Sequence, residues 1–327
     1  MLRTTTGKLF VSALLASSAL IGTASAADID PGLKEYKKVS GVEGSIKSIG
    51  SDTLNNLMTL WAEGYSKEYP NVKIEIEGKG SGTAPPALIA GTAQFGPMSR
   101  VMRAGENDDF EKKYGYKPTA VRVAVDALAV FVNKDSPVTC LSLPQIDAIF
   151  SKTRKRGLKN DITTWGQLGV TGELANKPIS MYGRNSASGT YGYFKEVAMA
   201  DGDYKDSVKE QPGSSAVVQS VASDKAAIGY SGIGYKTADV RAIDVSSKDG
   251  DTCHHPSQEE ASAGSYPITR FLYVYVNKNP GRDLEPLRAE YLRFVLSKQG
   301  QQGTVKDGYY PLPAAVAAED MAALGLK

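Results

Sequence analysis

Residues 121–134 read VRVAVDALAVFVNK, a long apolar run typical of a buried strand. A second run, FLYVYVNK at residues 271–278, ends in the same Val-Asn-Lys, and a proline follows each run closely, Pro137 and Pro280. Two such strands far apart in the chain can be two crossings between two domains, the first entering the second domain and the other returning. They can also be two ordinary core strands, and the pattern alone favours that interpretation.

The segment before the first run alternates between helical and strand patterns. Apolar residues recur at helical spacing from Leu54 through Trp61 to Tyr65. Residues 72–76 (VKIEI) then alternate with the period of a half-buried strand. Because this alternation of helix and strand signals continues along the chain, the sequence predicts an α/β architecture with largely parallel strand pairing.

The N-terminal residues have the pattern of an export signal. Two basic residues and an apolar run at residues 9–21 precede an A-x-A sequence at residues 24–26. We therefore expect residues 1–26 to be a signal peptide cleaved before Ala27, and the mature chain to work in the periplasm. No later run has the length and apolarity of a membrane helix.

The charge balance limits the classes of partner. The sequence has 38 basic and 36 acidic residues, and setting aside Arg3 and Lys8 of the signal leaves 36 basic residues, a formal charge of zero. A neutral chain lacks the basic field that nucleic acid or an anionic membrane surface would require. Any anion that this protein binds must be held by local geometry. The chain that follows the signal peptide is long enough for two domains.

Cysteine and histidine are rare in this chain. Cys140 and Cys253 are the only cysteines, and outside the cytoplasm they either pair in a disulfide or remain two buried thiols. His254 and His255 are the only histidines, adjacent in a polar stretch, which makes a Ser-His-Asp triad improbable. Cys253, His254 and His255 are consecutive and cannot easily all turn toward one metal ion. The sequence also contains no phosphate-binding P-loop motif. We therefore expect no enzyme activity, no metal and no cofactor.

Three helix starts share one design, in which hydroxyl residues and glycines precede an apolar helix. They are residues 51–53 (SDT), 80–83 (GSGT) and 188–190 (SGT). The first N–H groups of a helix lack partners within it, and the helix dipole places partial positive charge there, so such an end can bind an anion. The plainer alternative is that Ser and Thr only cap the helices. A fourth start, residues 213–215 (GSS), has no neighbouring charge and is interpreted as a cap.

The ordered set of motifs resembles the PstS-type periplasmic phosphate-binding proteins. The matching segments, between about residue 43 and residue 313, are residues 50–53 (GSDT), 80–83 (GSGT), 95–96 (FG), Arg184 with 188–190 (SGT), 227–230 (AIGY) and 308–313 (GYYPLP). The resemblance implies an α/β, two-lobed binding protein of the type II, Venus-flytrap class. Each lobe would be a central β-sheet flanked by helices, and two crossing strands would join the lobes.

The resemblance also implies how the chain divides between the lobes. Lobe 1 would contain residues 27–126 and 271–327, and lobe 2 would contain residues 127–270. The apolar runs quoted first would then be the crossings, and we expect the lobes to hinge at their two Val-Asn-Lys ends.

Phosphate is implied to lie between the lobes, held by residues that match the family motif. The implied ligands are Thr53, Leu54 and Ser81 from lobe 1, and Arg184, Ser188, Gly189 and Thr190 from lobe 2. The Arg184 guanidinium would supply the one full positive charge, forked to match two phosphate oxygens.

One position departs from the family pattern. Ser99 stands where the family has an aspartate that accepts the proton of phosphate, and a serine can accept that proton but does not repel sulfate. Asp52 and Asp126 either substitute for this carboxylate or act as a helix cap and a polar contact at the domain crossing. Further candidates are Ser51 and Arg100, and the latter either adds charge to the site or is only solvated.

The function implied by the resemblance is a transport receptor. The protein would capture inorganic phosphate as a monomer and deliver it to the membrane permease subunits of an ABC transporter. The alternatives are a receptor for sulfate or arsenate, a phosphoester hydrolase using Ser188, which lacks a visible base or metal, and a surface or matrix protein that retains the fold.

Overall fold

The computed structural model describes residues 27–326, and the predicted signal peptide lies outside these described residues. The strands are β1 Gly44–Gly50, β2 Val72–Gly78, β3 Phe95–Met98, β4 Thr119–Ala127, β5 Ala129–Asn133, β6 Cys140–Ser142, β7 Ser180–Arg184, β8 Lys209–Gln211, β9 Ala227–Ser231, β10 Val240–Ala242, β11 Asp244–Ser246 and β12 Thr269–Val276. The α-helices are α1 Asn55–Glu68, α2 Ala84–Ala90, α3 Ala104–Tyr114, α4 Leu143–Phe150, α5 Gly189–Met199, α6 Ser214–Ser223, α7 Gln258–Ala263, α8 Pro286–Val295, α9 Lys298–Lys306 and α10 Ala314–Ala323.

Strands from both ends of the described chain build the first sheet, in the order β2-β1-β3-β12-β4. β1 runs parallel to β2 and β3, whereas β12 runs antiparallel to β3 and β4. Helix α1 buries the apolar stripe that the sequence predicts, including Leu57, Trp61 and Tyr65, and it packs beside β2, α8 and α9. The helical spacing of these residues therefore places them in the core of the first sheet.

The middle of the chain builds the second sheet, in the order β10-β5-β9-β7-β8. β7 runs parallel to β8 and β9, whereas β5 runs antiparallel to β9 and β10. Two sheets flanked by helices agree with the predicted α/β class, but the expectation of largely parallel pairing was wrong, since both sheets are mixed. In the first sheet, β4 carries the chain out and β12 brings it back, so these two neighbours run in opposite directions.

The chain passes between the sheets within a very short distance. β4 ends at Ala127 in the first sheet and β5 begins at Ala129 in the second, so only Leu128 separates them. The Leu128 N–H donates to Ile268 O at 2.9 Å, and the Tyr266 hydroxyl donates to Leu128 O at 2.9 Å. The outgoing and returning segments are therefore bonded to each other.

These crossings correct the predicted hinge positions. Residues 132–134, the first Val-Asn-Lys, lie at the end of β5 far from Leu128, where Asn133 pairs with Val240. The second Val-Asn-Lys, residues 276–278, begins at the last residue of β12, a strand of the first sheet. The apolar pattern of residues 121–134 continues through the crossing because both strands are buried, so the pattern alone gives no sign of the break. The lobe boundaries at residues 126 and 271 stay a prediction.

Cys140 and Cys253 form a disulfide that ties the small parallel sheet of β6 and β11 to the loop after it. Their Cα atoms are 6.3 Å apart, and 113 positions separate them in the sequence. Among the helices of residues 27–326, none has the length and apolar character needed to cross a membrane.

Candidate functional site

Three helix starts from the two halves of the molecule are in contact with each other. β1 and β2 are parallel neighbours, so their carboxyl ends share one edge of the sheet, where the chain turns into short 3-10 helices at Asp52–Leu54 and Ser81–Thr83. The third start opens α5 after β7, on the side of the second sheet. The Gly82 N–H donates to Ala187 O at 2.9 Å and joins the second start to the third. Gly80 is required here, because its φ is +113° and a Cβ would lie 2.6 Å from Ala187 O.

A cluster of buried hydroxyl groups lies where these starts converge. Its members, none more than 2 % exposed, are Ser51, Thr53, Ser81, Ser99 and Thr190. The Thr53 and Thr190 hydroxyl oxygens are 2.7 Å apart, although Thr53 follows β1 of the first sheet and Thr190 follows β7 of the second. Ser99 Oγ lies 3.1 Å from Ser51 Oγ, 3.3 Å from Ser81 Oγ and 3.4 Å from Thr190 Oγ1. We call this group the hydroxyl cluster.

The other residues predicted from the same motifs line the cluster to different degrees. Gly189 opens α5 against it, and a Cβ at Gly189 would lie 2.3 Å from Ser81 Oγ. Leu54 is fully buried, and its N–H donates to Ser51 O at 3.3 Å. Ser188 is turned to its own helix, since its hydroxyl accepts from the Tyr191 N–H at 3.3 Å and caps α5.

Arg184 is buried beside the hydroxyl cluster with a carboxylate partner. Its guanidinium, 2 % exposed, lies 3.1 Å from the Asp52 carboxylate, and its Nη1 donates to Ser214 Oγ at 2.8 Å. Its buried Nε has no hydrogen-bond partner among the described residues. The positive charge that the sequence assigns to Arg184 is therefore present, but Asp52 offsets part of it.

The fourth helix start also belongs to this region. The Ser214 N–H donates to the Asp52 carboxylate at 2.7 Å, and the Ser214 hydroxyl accepts from Arg184. The interpretation of residues 213–215 as a cap without neighbouring charge was therefore wrong. Both charged partners are distant in the sequence and reach the start of α6 only through the fold.

Sequence reasoning missed a second buried arginine, Arg270 on β12. Its Nη2 donates to Thr190 Oγ1 at 2.9 Å and to the Asp126 carboxylate at 2.7 Å, and its Nη1 donates to Ser99 O at 2.6 Å. A signal was present, because Arg270 alternates with Leu272 on the buried face of β12. A charged residue at an inward-facing strand position needs a buried partner. Asp126, directly opposite on β4, supplies it.

Arg100 does not join the hydroxyl cluster. Its guanidinium forms a two-point pair with Glu106, with N–O distances of 2.7 and 2.8 Å. Burial raises the pKa of Glu106, but hydrogen bonds from Arg100 and from the Arg103 N–H outweigh it, so the pKa lies below its ordinary value. The structure thus places Arg100 in a buried ion pair, neither in the cluster nor in solvent.

The arrangement offers hydrogen-bond donors and balanced charge. Two arginine–aspartate pairs flank the cluster, Arg184 with Asp52 and Arg270 with Asp126. The histidines lie elsewhere, paired with Glu260 and Asp244. Within residues 27–326, no group of three or more His, Cys, Asp or Glu side chains could hold a metal ion. Helix starts, hydroxyls and guanidinium groups are the kinds of hydrogen-bond donor that bind small oxyanions.

Comparisons with known proteins show what the whole chain is similar to. The family model described as a PBP superfamily domain matches residues 31–299. The "Phosphate-binding protein PstS" of Pseudomonas aeruginosa is 58% identical over 320 residues, which cover 98% of this chain and 99% of that protein.

Solved structures give the same result for the fold. A crystal structure from Clostridium perfringens, titled a putative phosphate ABC transporter substrate-binding protein with bound phosphate, has a TM-score of 0.68 and 26% identity, and the match covers 82% of this chain and all of that one. An ABC-type phosphate transport receptor from Vibrio cholerae has a TM-score of 0.63 at 23% identity, over 82% of this chain and 100% of that one, and shows the fold alone. The two-lobed binding-protein fold predicted from the sequence is confirmed.

Proposed function

Because this chain belongs to the PBP superfamily, and within it to the PstS phosphate-binding proteins, we propose that it captures inorganic phosphate in the periplasm. It then delivers the phosphate to the permease of an ABC transporter. It acts as a monomeric receptor and not as an enzyme.

The hydroxyl cluster is the observation that carries this proposal. Thr53, Ser81 and Ser99 follow strands of the first sheet, and Thr190 lies in α5 after β7 of the second, so an anion that these hydroxyls bind in place of one another receives donors from both lobes at once. Those donors are satisfied together only when the lobes are closed, which couples binding to closure. The relative with bound phosphate supports the choice of anion.

Each residue of the site has a distinct role in this proposal. The hydroxyls of Thr53, Ser81 and Thr190 donate to phosphate oxygens, and the N–H groups at the start of α5, beginning with Gly189, add the positive end of a helix dipole. Ser99 accepts the proton that phosphate carries near pH 7. Arg184 supplies charge, and its Asp52 partner holds the guanidinium in place.

The strength required of such a site is modest. A micromolar dissociation constant corresponds to about 8 kcal/mol. Hydrogen bonds to a charged group each contribute roughly 1.5–3 kcal/mol. Four or five of them are therefore sufficient after the costs of association and lobe closure are subtracted.

A receptor for sulfate is the second candidate, and one observation favours it. Asp52 and Asp126 are the acidic residues beside the cluster, and each is bound to a guanidinium. The position of the family aspartate is occupied by Ser99, and neither Asp52 nor Asp126 is free of a cation to repel an anion without a proton.

Titration calorimetry with phosphate, sulfate and arsenate tests the proposal, and a melting-temperature series with the same anions checks it. A ligand that binds only the folded protein raises the melting temperature, so the two measurements should rank the anions alike. We expect phosphate to bind in the micromolar range or tighter. Sulfate binding as tight as phosphate would favour the second candidate, and absence of binding by all three anions would refute an anion receptor.

A further inference from the structure

Arg270 is not among the residues that the family motif implies, yet it contacts the hydroxyl cluster directly. We propose that Arg270 is a positioning residue for the anion, because its guanidinium forces the Thr190 hydroxyl to donate its hydrogen into the cluster. This inference rests on the proposed function and adds to it a residue that sets the direction of one donor.

The direction follows from the chemistry of the two groups. A guanidinium has N–H donors and no acceptor. Thr190 Oγ1 must therefore accept in its 2.9 Å contact with Arg270 Nη2. The hydroxyl hydrogen is left to point elsewhere, and its neighbours are Thr53 Oγ1 at 2.7 Å and Ser99 Oγ at 3.4 Å. Both lie in the cluster, where the anion would accept this hydrogen.

Contacts on several sides keep the Arg270 guanidinium in one orientation. Its Nε and Nη2 donate to one oxygen of Asp126, at 2.9 and 2.7 Å, and its Nη1 donates to Ser99 O. Its Cζ lies 5.2 Å from the centre of the Tyr193 ring, a cation–π contact. Burial raises the pKa of Tyr193 to about 12, so its hydroxyl stays protonated and donates to Thr269 O.

The same contacts connect the two halves of the molecule. Arg270 and Asp126 lie opposite each other on β12 and β4 of the first sheet, whereas Thr190 and Tyr193 belong to α5 beside the second. The second oxygen of Asp126 accepts from the Ile233 N–H at 2.9 Å, in a segment that follows β9. The guanidinium can therefore reach Thr190 only while α5 lies against the first sheet.

Geometry, and not charge, is the contribution of Arg270. Asp126 offsets its positive charge at 2.7 Å, so the pair adds little net attraction for an anion. A lysine keeps that charge but lacks the flat fork that reaches Asp126, Ser99 O and Thr190 together. We therefore expect Arg270→Lys to weaken phosphate binding by about 10- to 100-fold, equivalent to one misdirected hydrogen bond to a charged group.

A double-mutant cycle measured by calorimetry with inorganic phosphate tests this role. The proteins are the unmodified chain, Arg270→Lys, Thr190→Val and the double variant, each with its melting temperature. In the Thr190→Val background, we expect Arg270→Lys to raise the dissociation constant of phosphate by less than about a further threefold. The arginine then has no hydroxyl to orient. Equal losses in both backgrounds would overturn the proposal and assign Arg270 to packing alone.

A matched control exists in the same pair of strands. Arg122 on β4 also forms an arginine–aspartate pair, with Asp320 at 2.7 Å, and its contacts with Glu319 and the Phe271 ring likewise lie outside the cluster. Arg122→Lys should leave the dissociation constant within about twofold. A comparable loss in this control would overturn the proposal, because it would show that any weakened ion pair in the sheet lowers affinity.

A second variant covers the case in which Arg270→Lys does not fold. Asp126→Asn removes the carboxylate that holds the guanidinium, and it also leaves the Arg270 charge unbalanced beside the anion. The charge effect is the same with or without the Thr190 hydroxyl, so a difference between the effect of Asp126→Asn in the unmodified chain and in the Thr190→Val background measures the orientation of that hydroxyl. An equal effect in both backgrounds would overturn the proposal. An unmodified chain that binds no phosphate would instead refute the proposed function, so the two failures are distinguishable.

Discussion

The substitution Gly189→Ala should abolish tight anion binding without unfolding the protein. Gly189 is the first residue of α5, and it faces the hydroxyls of Ser81 and Ser99, which follow strands of the first sheet. A Cβ there would lie 2.3 Å from Ser81 Oγ, 2.7 Å from Ser99 Oγ and 2.9 Å from Ser81 Cβ. Rotation of the serine side chains can relieve the first two contacts, but it cannot move Ser81 Cβ, which is fixed to the backbone.

The expected loss follows from the number of donors displaced. Relief of the clash requires α5 and residue 81 to separate by several tenths of an ångström, and the hydroxyls of Ser81 and Ser99 turn away from the anion. One or two hydrogen bonds to a charged group, at roughly 1.5–3 kcal/mol each, are then lost. A loss of about 3 kcal/mol corresponds to about a 150-fold weaker dissociation constant.

Calorimetry with phosphate measures this effect, and Gly192→Ala provides the control. Gly192 lies in the same helix, but its added Cβ would approach no atom closer than 3.5 Å, the Cδ of Arg100. We expect the control to bind phosphate within about twofold of the unmodified protein, and both variants to melt within a few degrees of it without ligand, since alanine favours a helix over glycine. Phosphate binding by Gly189→Ala within about threefold of the unmodified protein would refute the reasoning.

Three further predictions concern charge, the disulfide and pH. Arg184→Ala should remove most of the phosphate binding heat, because the site loses its cation and Asp52 is left unpaired; binding within twofold of the unmodified protein would contradict the role of Arg184. Replacing Cys140 and Cys253 together by serine should lower the unfolding free energy by about 4–5 kcal/mol, the loop-entropy term for a separation of 113 residues; chemical denaturation measures it, and unchanged stability would contradict it. Burial raises the pKa of Asp307 to about 7, so its ionisation destabilises the folded protein as pH rises from about 4 to 7. Asp307→Asn should therefore raise the melting temperature more at pH 8 than at pH 5, and an equal change at both would contradict this.

Much of the site was predictable because its parts are local in the sequence. The chemistry of helix termini explains why hydroxyls and glycines at the starts of helices are candidate ligands. The order of the motifs along the chain then predicted that residues 51–53 and 188–190 belong to one site. The alternation of helix and strand signals was enough for the α/β class. The helical spacing of Leu57 and Trp61 likewise predicted the buried face of α1.

The rest depends on contacts that no local pattern contains. Arg270 stands 144 positions from Asp126, and only the pairing of β4 with β12 makes them partners. Ser214 looked like an ordinary cap because Asp52, 162 positions away, is invisible to local reasoning. The crossing at Leu128 was hidden for a different reason: both flanking strands are buried, so hydrophobicity does not change where the chain leaves one sheet for the other.

The placement of β12 between β3 and β4 has a consequence for how the polypeptide matures. All strands of the second sheet lie within residues 129–242, so that half can assemble as soon as those residues are available. The first sheet cannot, since β4 pairs within it only with β12, which begins at Thr269. Until that late strand inserts, β3 and β4 each present an open edge of the kind that promotes aggregation. The half that contains the second sheet should therefore become resistant to protease before the half that contains the first sheet. A nascent chain stopped short of residue 269 should require a chaperone.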